Sequence, residues 1–202
     1  MNFKTRLAVG AVIAALLTVG TAGAAQAAGT NLKCFGTDSG STCVQNKNGS
    51  VILTNDGAGE YAGVYVPGQG LAGKPLTSVT ALQFRYEATV TPNGGNPRFN
   101  LYITNSAGQI GTVFIDTRTC NTSSPDNPDL MAGFVNPLSD PDCVISGYYT
   151  DGSSFSYSSW NAFLAGESNA TFAAESPEVM IDSAYQGSVT ISNVKLSLSG
   201  RK

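Results

Sequence analysis

The sequence predicts an all-β protein, built as an antiparallel β-sandwich with one short helix. Several segments alternate apolar and polar residues with a period of two, which is typical of strands that bury one face. Runs rich in Gly, Asn, Ser and Pro separate these segments, as expected of tight turns. Strands do not alternate with long helical segments, which argues against a parallel α/β sheet.

The longest alternating segment begins a predicted β-meander over residues 79–116. In its first strand apolar side chains alternate with polar ones, among them Arg85 and Glu87. We therefore expect one face of this strand to be buried and the other to be polar. Residues 92–97 contain Pro, Asn and Gly, and they predict the turn that ends the strand.

The second and third strands of the meander follow this turn. The second alternates apolar residues with Arg98, Asn100 and Tyr102, and the third covers residues 110–115. Successive strands of a meander pair with each other, so their polar side chains are expected on one face. This shared polar face would carry Arg85, Glu87, Arg98, Asn100 and Tyr102.

The remaining predicted strands lie on either side of the meander. They cover residues 50–54, 61–66, 144–150, 170–173, 179–181 and 187–198. In the last of them the alternation changes phase at Ser192 and Asn193, which predicts a β-bulge. Residues 117–141 contain four prolines, and we expect them to form a long irregular loop closed by a disulfide.

Residues 158–165 have the pattern of a short helix. Ser158 or Ser159 would cap its first turn, and a glycine follows its last. Trp160 and Phe163 share one helical face. A helix of one or two turns is stable only when such a face packs on a sheet, so we expect Trp160 in the core.

The first 27 residues have the pattern of a secretory signal peptide. Lys4 and Arg6 precede an apolar segment at residues 7–19, and Ala-Gln-Ala at residues 25–27 is a cleavage signal. The alternative is an uncleaved N-terminal anchor, but the apolar segment is short and rich in Ala and Gly. The expected mature protein is one domain over residues 28–202, secreted into the extracellular space.

Four cysteines remain in the expected mature chain, Cys34, Cys43, Cys120 and Cys143. An even count in an exported chain predicts two disulfides, for which three pairings exist. Proximity favours Cys34–Cys43 and Cys120–Cys143, because each pair encloses one turn-rich loop. The chain has no Cys-x-x-Cys spacing and no His, so these cysteines are not expected to bind a metal.

The composition argues against several classes of function. Without His, neither Ser-His-Asp nor Cys-His catalysis is available. The net charge of −3 and the lack of Lys/Arg clusters argue against nucleic-acid binding, and no second apolar segment predicts a membrane span. We expect a monomer that is not an enzyme and needs no cofactor. Structural calcium is compatible with the acidic loop residues Asp38, Asp56, Asp126, Asp129, Asp140 and Asp182.

A pair of carboxylates is the catalytic route that the composition leaves open, because glycoside hydrolases need only two Asp or Glu residues at the right separation. Glu87 is the most interesting candidate, since it is expected on the polar sheet face. A cross-strand ion pair of Glu87 with Arg85 or Arg98 is the simpler interpretation. The other candidates are Glu60, Asp116, Glu167, Glu175, Glu178 and Asp182.

Amphipathic aromatic residues suggest a second kind of site. A Tyr or Trp ring that lies flat on a surface stacks on the apolar face of a pyranose. The candidates are Tyr61, Tyr65, Tyr102, Tyr148, Tyr149, Tyr157 and Trp160. Most of these rings are expected to pack in the core or at its rim. Tyr102 is the ring that we expect to be most exposed, because it follows Arg98 and Asn100 on the polar side.

Four motifs resemble those of secreted bacterial jelly-roll domains. They are Gly-Lys-Pro-Leu-Thr-Ser-Val-Thr-Ala-Leu-Gln-Phe at residues 73–84, Gly-Gly-Asn-Pro-Arg-Phe-Asn-Leu at residues 94–101, Trp160-x-x-Phe163, and Asp-Ser-x-Tyr-x-Gly-x-Val-x-Ile-x-Asn-Val at residues 182–194. The last motif is similar to the final strand of many carbohydrate-binding modules. The resemblance implies a jelly-roll-like sandwich of carbohydrate-binding-module type.

The functional expectation is therefore a secreted, non-catalytic module that binds extracellular polysaccharide or cell-wall glycan. On the predicted polar face, Arg98, Glu87 and Asn100 would form hydrogen bonds to sugar hydroxyls beside Arg85, and Tyr102 would stack. A structural or protein-interaction module of the cell surface is the main alternative, in which this face is solvated or meets another chain. A two-carboxylate glycoside hydrolase is the third hypothesis.

Overall fold

In the computed structural model, two antiparallel β-sheets pack against each other, which confirms the predicted all-β sandwich. The structure describes residues 32–36, 39–57, 61–66, 70–91, 95–120 and 131–200. The predicted signal peptide and its cleavage site lie outside these residues. No helix in the described ranges is long and apolar enough to cross a membrane.

The described residues form thirteen strands, numbered along the chain. The larger sheet has the spatial order β1 (Lys33–Gly36), β4 (Tyr61–Tyr65), β12 (Glu178–Asp182), β6 (Arg98–Thr104), β7 (Ile110–Asp116), β9 (Ile145–Tyr149) and β10 (Ser154–Tyr157), with β11 (Thr171–Phe172) also paired to β6. The smaller sheet has the order β2 (Ser41–Gln45), β3 (Val51–Asn55), β13 (Gly187–Leu198), β5 (Val79–Ala88) and β8 (Ala132–Val135).

The core lies between the two sheets and is formed by the apolar residues of the alternating segments. Phe84 on β5 and Phe99 on β6 are fully buried, and their ring centroids are 4.8 Å apart in an edge-to-face arrangement. Strands that follow each other in sequence therefore meet across the core. Burying alternate residues of both strands leaves their polar residues on the two outer faces.

The predicted meander is correct in its second half and wrong in its first. Strands β6 and β7 form the expected antiparallel pair. Strand β5, in contrast, pairs with β13 and β8 in the other sheet. Alternation predicts which face of a strand is buried but not which strand lies beside it. A connection between the two sheets can therefore have the same sequence pattern as a hairpin turn within one sheet.

The other predicted strands correspond to β3, β4, β9, β11, β12 and β13. The bulge is confirmed, because the pairing of β13 with β5 shifts register between Ser192 and Lys195, and Asn193 has a φ of 52°. Strands β1, β2, β8 and β10 were not predicted. The predicted irregular loop contains β8 and a one-turn helix α1 (Thr117–Cys120) within its described part.

The predicted short helix is confirmed as α2 (Trp160–Gly166). The Ser159 side chain accepts a hydrogen bond from the Ala162 N–H at 3.2 Å, so Ser159 is the N-cap. Trp160 is only 3% exposed and lies 5.4 Å from Phe163, measured between ring centroids. The helix is thus held by its apolar face, as its short length requires.

Both predicted disulfides are present. Cys34–Cys43 has a Cα–Cα separation of 5.6 Å and joins β1 to β2, which are edge strands of opposite sheets. Cys120–Cys143 joins the end of α1 to the segment that precedes β9. The first bridge therefore connects the two layers of the sandwich, a role that proximity in sequence did not indicate.

Candidate functional site

The structure divides the five predicted site residues between two surfaces. Arg85 and Glu87 are exposed on the outer face of the smaller sheet. Arg98, Asn100 and Tyr102 project from β6 on the outer face of the larger sheet. The predicted face shared by all five is wrong, because β5 and β6 bury their apolar residues against each other from opposite layers.

A groove of about 400 Å³ lies on the outer face of the larger sheet, and the three predicted residues of β6 line it. The strand register arranges its side chains in rows. One row runs across β4, β12, β6 and β7 through Tyr65, Glu178, Asn100 and Phe114. Since neighbouring strands lie about 4.8 Å apart, this row is roughly 14 Å long.

Three aromatic residues form one end of the groove. The ring centroid of Phe35 on β1 is 4.7 Å from that of Tyr65 and 6.0 Å from that of Tyr61. Gly63 lies between the two tyrosines on β4, and a Cβ atom there would overlap the Phe35 ring. The missing side chain allows Phe35 to lie against the sheet, so all three rings border the groove.

Two further aromatic residues form the other end. The ring centroids of Phe114 on β7 and Tyr148 on β9 are 5.6 Å apart. Tyr148 is 50% exposed, whereas Tyr102 is half-buried, so the expectation that Tyr102 is the most exposed ring is wrong. The Arg98 guanidinium lies over the Phe114 ring at 4.7 Å from its centroid.

Polar side chains form the floor between the two aromatic ends. The Tyr102 hydroxyl donates a hydrogen bond to Glu178 Oε2 at 3.0 Å. Asn100 is buried, and its Oδ1 accepts a hydrogen bond from Arg98 Nε at 3.3 Å. Burial, and then the charge of Glu178, raises the pKa of Tyr102, so its hydroxyl stays protonated as a donor. Burial also raises the pKa of Glu178.

An ion pair at the edge of the groove fixes Arg98. Arg98 Nη2 is 2.7 Å from Asp182 Oδ2. Asn96 Nδ2 donates to Asp182 Oδ1 at 2.8 Å, and Asn96 Oδ1 accepts from the Asp182 N–H at 3.0 Å. The expected ion pair of Glu87 with Arg98 is wrong, because the two residues belong to different sheets. Arg98 is thus rigid and has its charge balanced within the protein.

Asp116 lies opposite Arg98 on β7. Its Oδ1 atom is buried and has no hydrogen-bond partner among the described residues. Burial raises the pKa of Asp116 to about 6, although the positive charge of Arg98 acts in the other direction. The charge of Asp182 adds to the increase. Two of the candidate catalytic carboxylates therefore flank one arginine.

The remaining candidate carboxylates are dispersed. Glu167 follows α2 and accepts a hydrogen bond from the Tyr157 hydroxyl at 2.9 Å. Glu175 and Glu178 border a second groove of about 510 Å³, which shares Tyr65, Tyr102 and Glu178 with the first. The two grooves form one continuous surface that extends towards Lys33. Glu60 lies outside the described residues.

The outer face of the smaller sheet carries a separate groove of about 610 Å³. Arg85 and Glu87 line it, and the Arg85 guanidinium lies 5.1 Å from the Phe134 ring centroid. Within the part of the chain that the structure describes, no group of three or more His, Cys, Asp or Glu side chains is arranged to hold a metal ion. Asp38, Asp126 and Asp129 lie outside that part.

The sequence reasoning did not include Phe35 and Phe114 among the site residues, and it named Tyr61 and Tyr65 only as possible stacking rings. A signal was present in β4, where two tyrosines four residues apart flank a glycine on the same outward face. Phe114 lies two positions from both Thr112 and Asp116 on β7, so it shares their polar outer face.

No family model matches the chain, and no curated protein or solved structure matches it either. The resemblance to carbohydrate-binding modules therefore rests on the four sequence motifs alone.

Proposed function

We propose that the protein is a secreted, non-catalytic module that binds extracellular polysaccharide or cell-wall glycan in the groove of the larger sheet. The observation that carries this proposal is the arrangement of aromatic rings at both ends of a polar floor. Pyranose rings have an apolar face that stacks on aromatic rings and a rim of hydroxyls that needs hydrogen-bond partners. The groove offers both kinds of contact along roughly 14 Å, the width of four neighbouring strands.

The rigidity of the groove also supports binding. Phe35 packs between Tyr61 and Tyr65, and Arg98 is held by Asp182 and the Phe114 ring. Side chains that are already ordered lose little conformational entropy when a ligand binds. A sheet face whose side chains are already in place is suited to binding an extended polysaccharide chain.

The surroundings of the acidic residues favour binding over hydrolysis. Asp182 is bonded to Arg98 and Asn96, and Glu178 accepts a hydrogen bond from Tyr102. A glycosidase of the common type needs a proton donor and a second carboxylate on opposite sides of the scissile bond. Here Asp182 is already committed to contacts within the protein, which supports a structural role for it.

Retention on insoluble cellulose, chitin, xylan and peptidoglycan tests the proposal. We expect wild-type protein to be retained on at least one matrix, and Tyr65→Ala and Tyr148→Ala each to weaken retention about tenfold, equivalent to about 1.4 kcal/mol. Glu87→Ala, on the opposite sheet, is the matched surface control and should bind like wild type. Equal retention of both tyrosine variants and wild type would contradict the proposed groove. No retention on any matrix would favour a protein-interaction module.

A further inference from the structure

The charged side chains along the groove differ in how far their charges are already balanced. Lys33, Arg98, Glu175 and Glu178 line the groove and its extension. The numbers of positive and negative charges are equal. The preference for a charged or neutral ligand therefore depends on which of these charges is not neutralised by a neighbouring group of opposite charge.

The positive charge nearest the centre is compensated. Arg98 forms its ion pair with Asp182, and its guanidinium face rests on the Phe114 ring. An acidic group of a ligand would have to compete with Asp182 for this guanidinium. Lys33 lies on the edge strand β1, opposite Tyr65 and two strands away from Glu178, with its Nζ 5.8 Å from the Tyr65 ring centroid.

The negative charge at the centre has an uncharged partner. Glu178 lies on β12, between the two aromatic ends, and accepts a hydrogen bond from the Tyr102 hydroxyl. The ion pair found among the described groove residues is that of Arg98, not of Glu178. Glu175 adds a second carboxylate at the extension. The floor thus presents an acceptor with negative charge to any ligand that covers it.

We infer that the groove selects glycans without carboxylate or sulfate groups and rejects acidic polysaccharides; this inference rests on the proposed function. A neutral sugar donates hydroxyl hydrogen bonds to Glu178 and stacks its ring on the aromatic ends. An acidic sugar brings a like charge next to Glu178, and like-charge contacts discriminate strongly against a ligand. The guanidinium that could offset this repulsion is held by Asp182.

Affinity electrophoresis with matched soluble polymers tests this selectivity. The pairs are hydroxyethyl cellulose with carboxymethyl cellulose, glycol chitin with carboxymethyl chitin, and arabinoxylan with glucuronoxylan. At low ionic strength we expect the neutral member of at least one pair to bind, and its acidic partner to bind at least about tenfold more weakly. Equal or tighter binding of the acidic partner would overturn the inference while leaving glycan binding intact.

Glu178→Gln separates charge from shape, because the amide keeps an acceptor for the Tyr102 hydroxyl. The measured quantity is the ratio of acidic to neutral binding, which should rise at least about threefold in this variant. Glu87→Gln removes the same charge from the opposite sheet and should leave the ratio unchanged. An unchanged ratio in Glu178→Gln, with a thermal midpoint that shows the variant is folded, would contradict the assigned role. If no polymer of either kind binds, the proposed function fails, and this inference fails with it.

Discussion

Asp116 lies at the end of β7, beside the ion pair that holds Arg98. Burial raises the pKa of this carboxyl to about 6, from an ordinary value of 3.8, and its Oδ1 atom has no hydrogen-bond partner among the residues that the structure describes. The folded protein therefore holds this proton more tightly than the unfolded chain does. It follows that the charge on Asp116 lowers the free energy of unfolding progressively as the pH rises from about 4 to about 6.

Replacing Asp116 with Asn should remove this pH-dependent penalty. We expect Asp116→Asn to raise the free energy of unfolding by up to about 3 kcal/mol at pH 7 relative to wild type, with little of this gain at pH 4. Urea denaturation of both proteins at the two pH values measures the difference. Asp142→Asn, at an exposed position, is the control and should show no such gain. A gain of the same size at both pH values would contradict the electrostatic explanation.

Gly63 on β4 is required by close packing. A Cβ atom at this position would overlap the Phe35 ring and would lie 2.7 Å from the Val179 carbonyl oxygen and 2.9 Å from Met180 Cβ. The backbone oxygen and the ordered ring have little room to move. The residue thus couples the stability of the sheet to the shape of the aromatic end of the groove.

Substitution of Gly63 by Ala should therefore affect both stability and binding. We expect Gly63→Ala to reduce the free energy of unfolding by about 1–3 kcal/mol and to weaken glycan retention, because Phe35 must move. Gly36→Ala on β1 is the matched control, since the nearest atom to its Cβ would be at an ordinary 3.7 Å. Urea denaturation and retention assays measure the two effects. Similar behaviour of the two variants would be evidence against the packing argument.

Among the secondary-structure elements, the edge strand β1 depends for its stability on a covalent link to the other sheet. It has four residues and lies at the edge of the larger sheet, where β4 is its one partner among the described strands. Yet it carries Phe35, which completes one end of the groove. The Cys34–Cys43 disulfide ties this edge strand to β2 in the other sheet, so the bridge supports the candidate site as well as the fold.

Removing the two disulfides separately should distinguish these roles. Cys34→Ser with Cys43→Ser should cost about 2–3 kcal/mol of unfolding free energy, and Cys120→Ser with Cys143→Ser about 3 kcal/mol, by the loop-closure model. Only the first pair of substitutions is expected to weaken glycan retention strongly, because it releases β1. The measurements are urea denaturation and retention at a temperature where both variants are folded. Equal loss of retention in the two variants would contradict the role assigned to β1.

At the scale of the whole molecule, the two layers separate what is adjacent in the chain. After β5 the chain leaves the smaller sheet and enters the larger one at β6. The outward side chains of the two strands consequently belong to opposite surfaces of the sandwich. The grooves lined by Glu87 and by Tyr102 are independent, which is why substitutions at Glu87 serve as surface controls for the groove on the larger sheet.

Local features of the sequence were sufficient to predict the fold class, the short helix, the bulge and both disulfide pairings. These features depend on local information: a period of two is imposed by strand geometry, Ser159 caps the helix that it precedes, and each cysteine pair closes one short loop. The orientation of Arg98, Asn100 and Tyr102 on one face of β6 was predictable for the same reason.

Which strands lie side by side, and therefore where the candidate site forms, could be learned only from the three-dimensional fold. The groove is formed by β1, β4, β12, β6, β7 and β9, so its side chains come from distant parts of the chain. Glu178 accepts a hydrogen bond from Tyr102, which is 76 positions away in the sequence. Asp182 and Arg98, which form an ion pair, are also far apart in the sequence. Strand pairing depends on the packing of the whole core, which alternation within one strand does not encode. For this reason the sequence identified polar and aromatic residues of the right kind but joined β5 to the wrong surface.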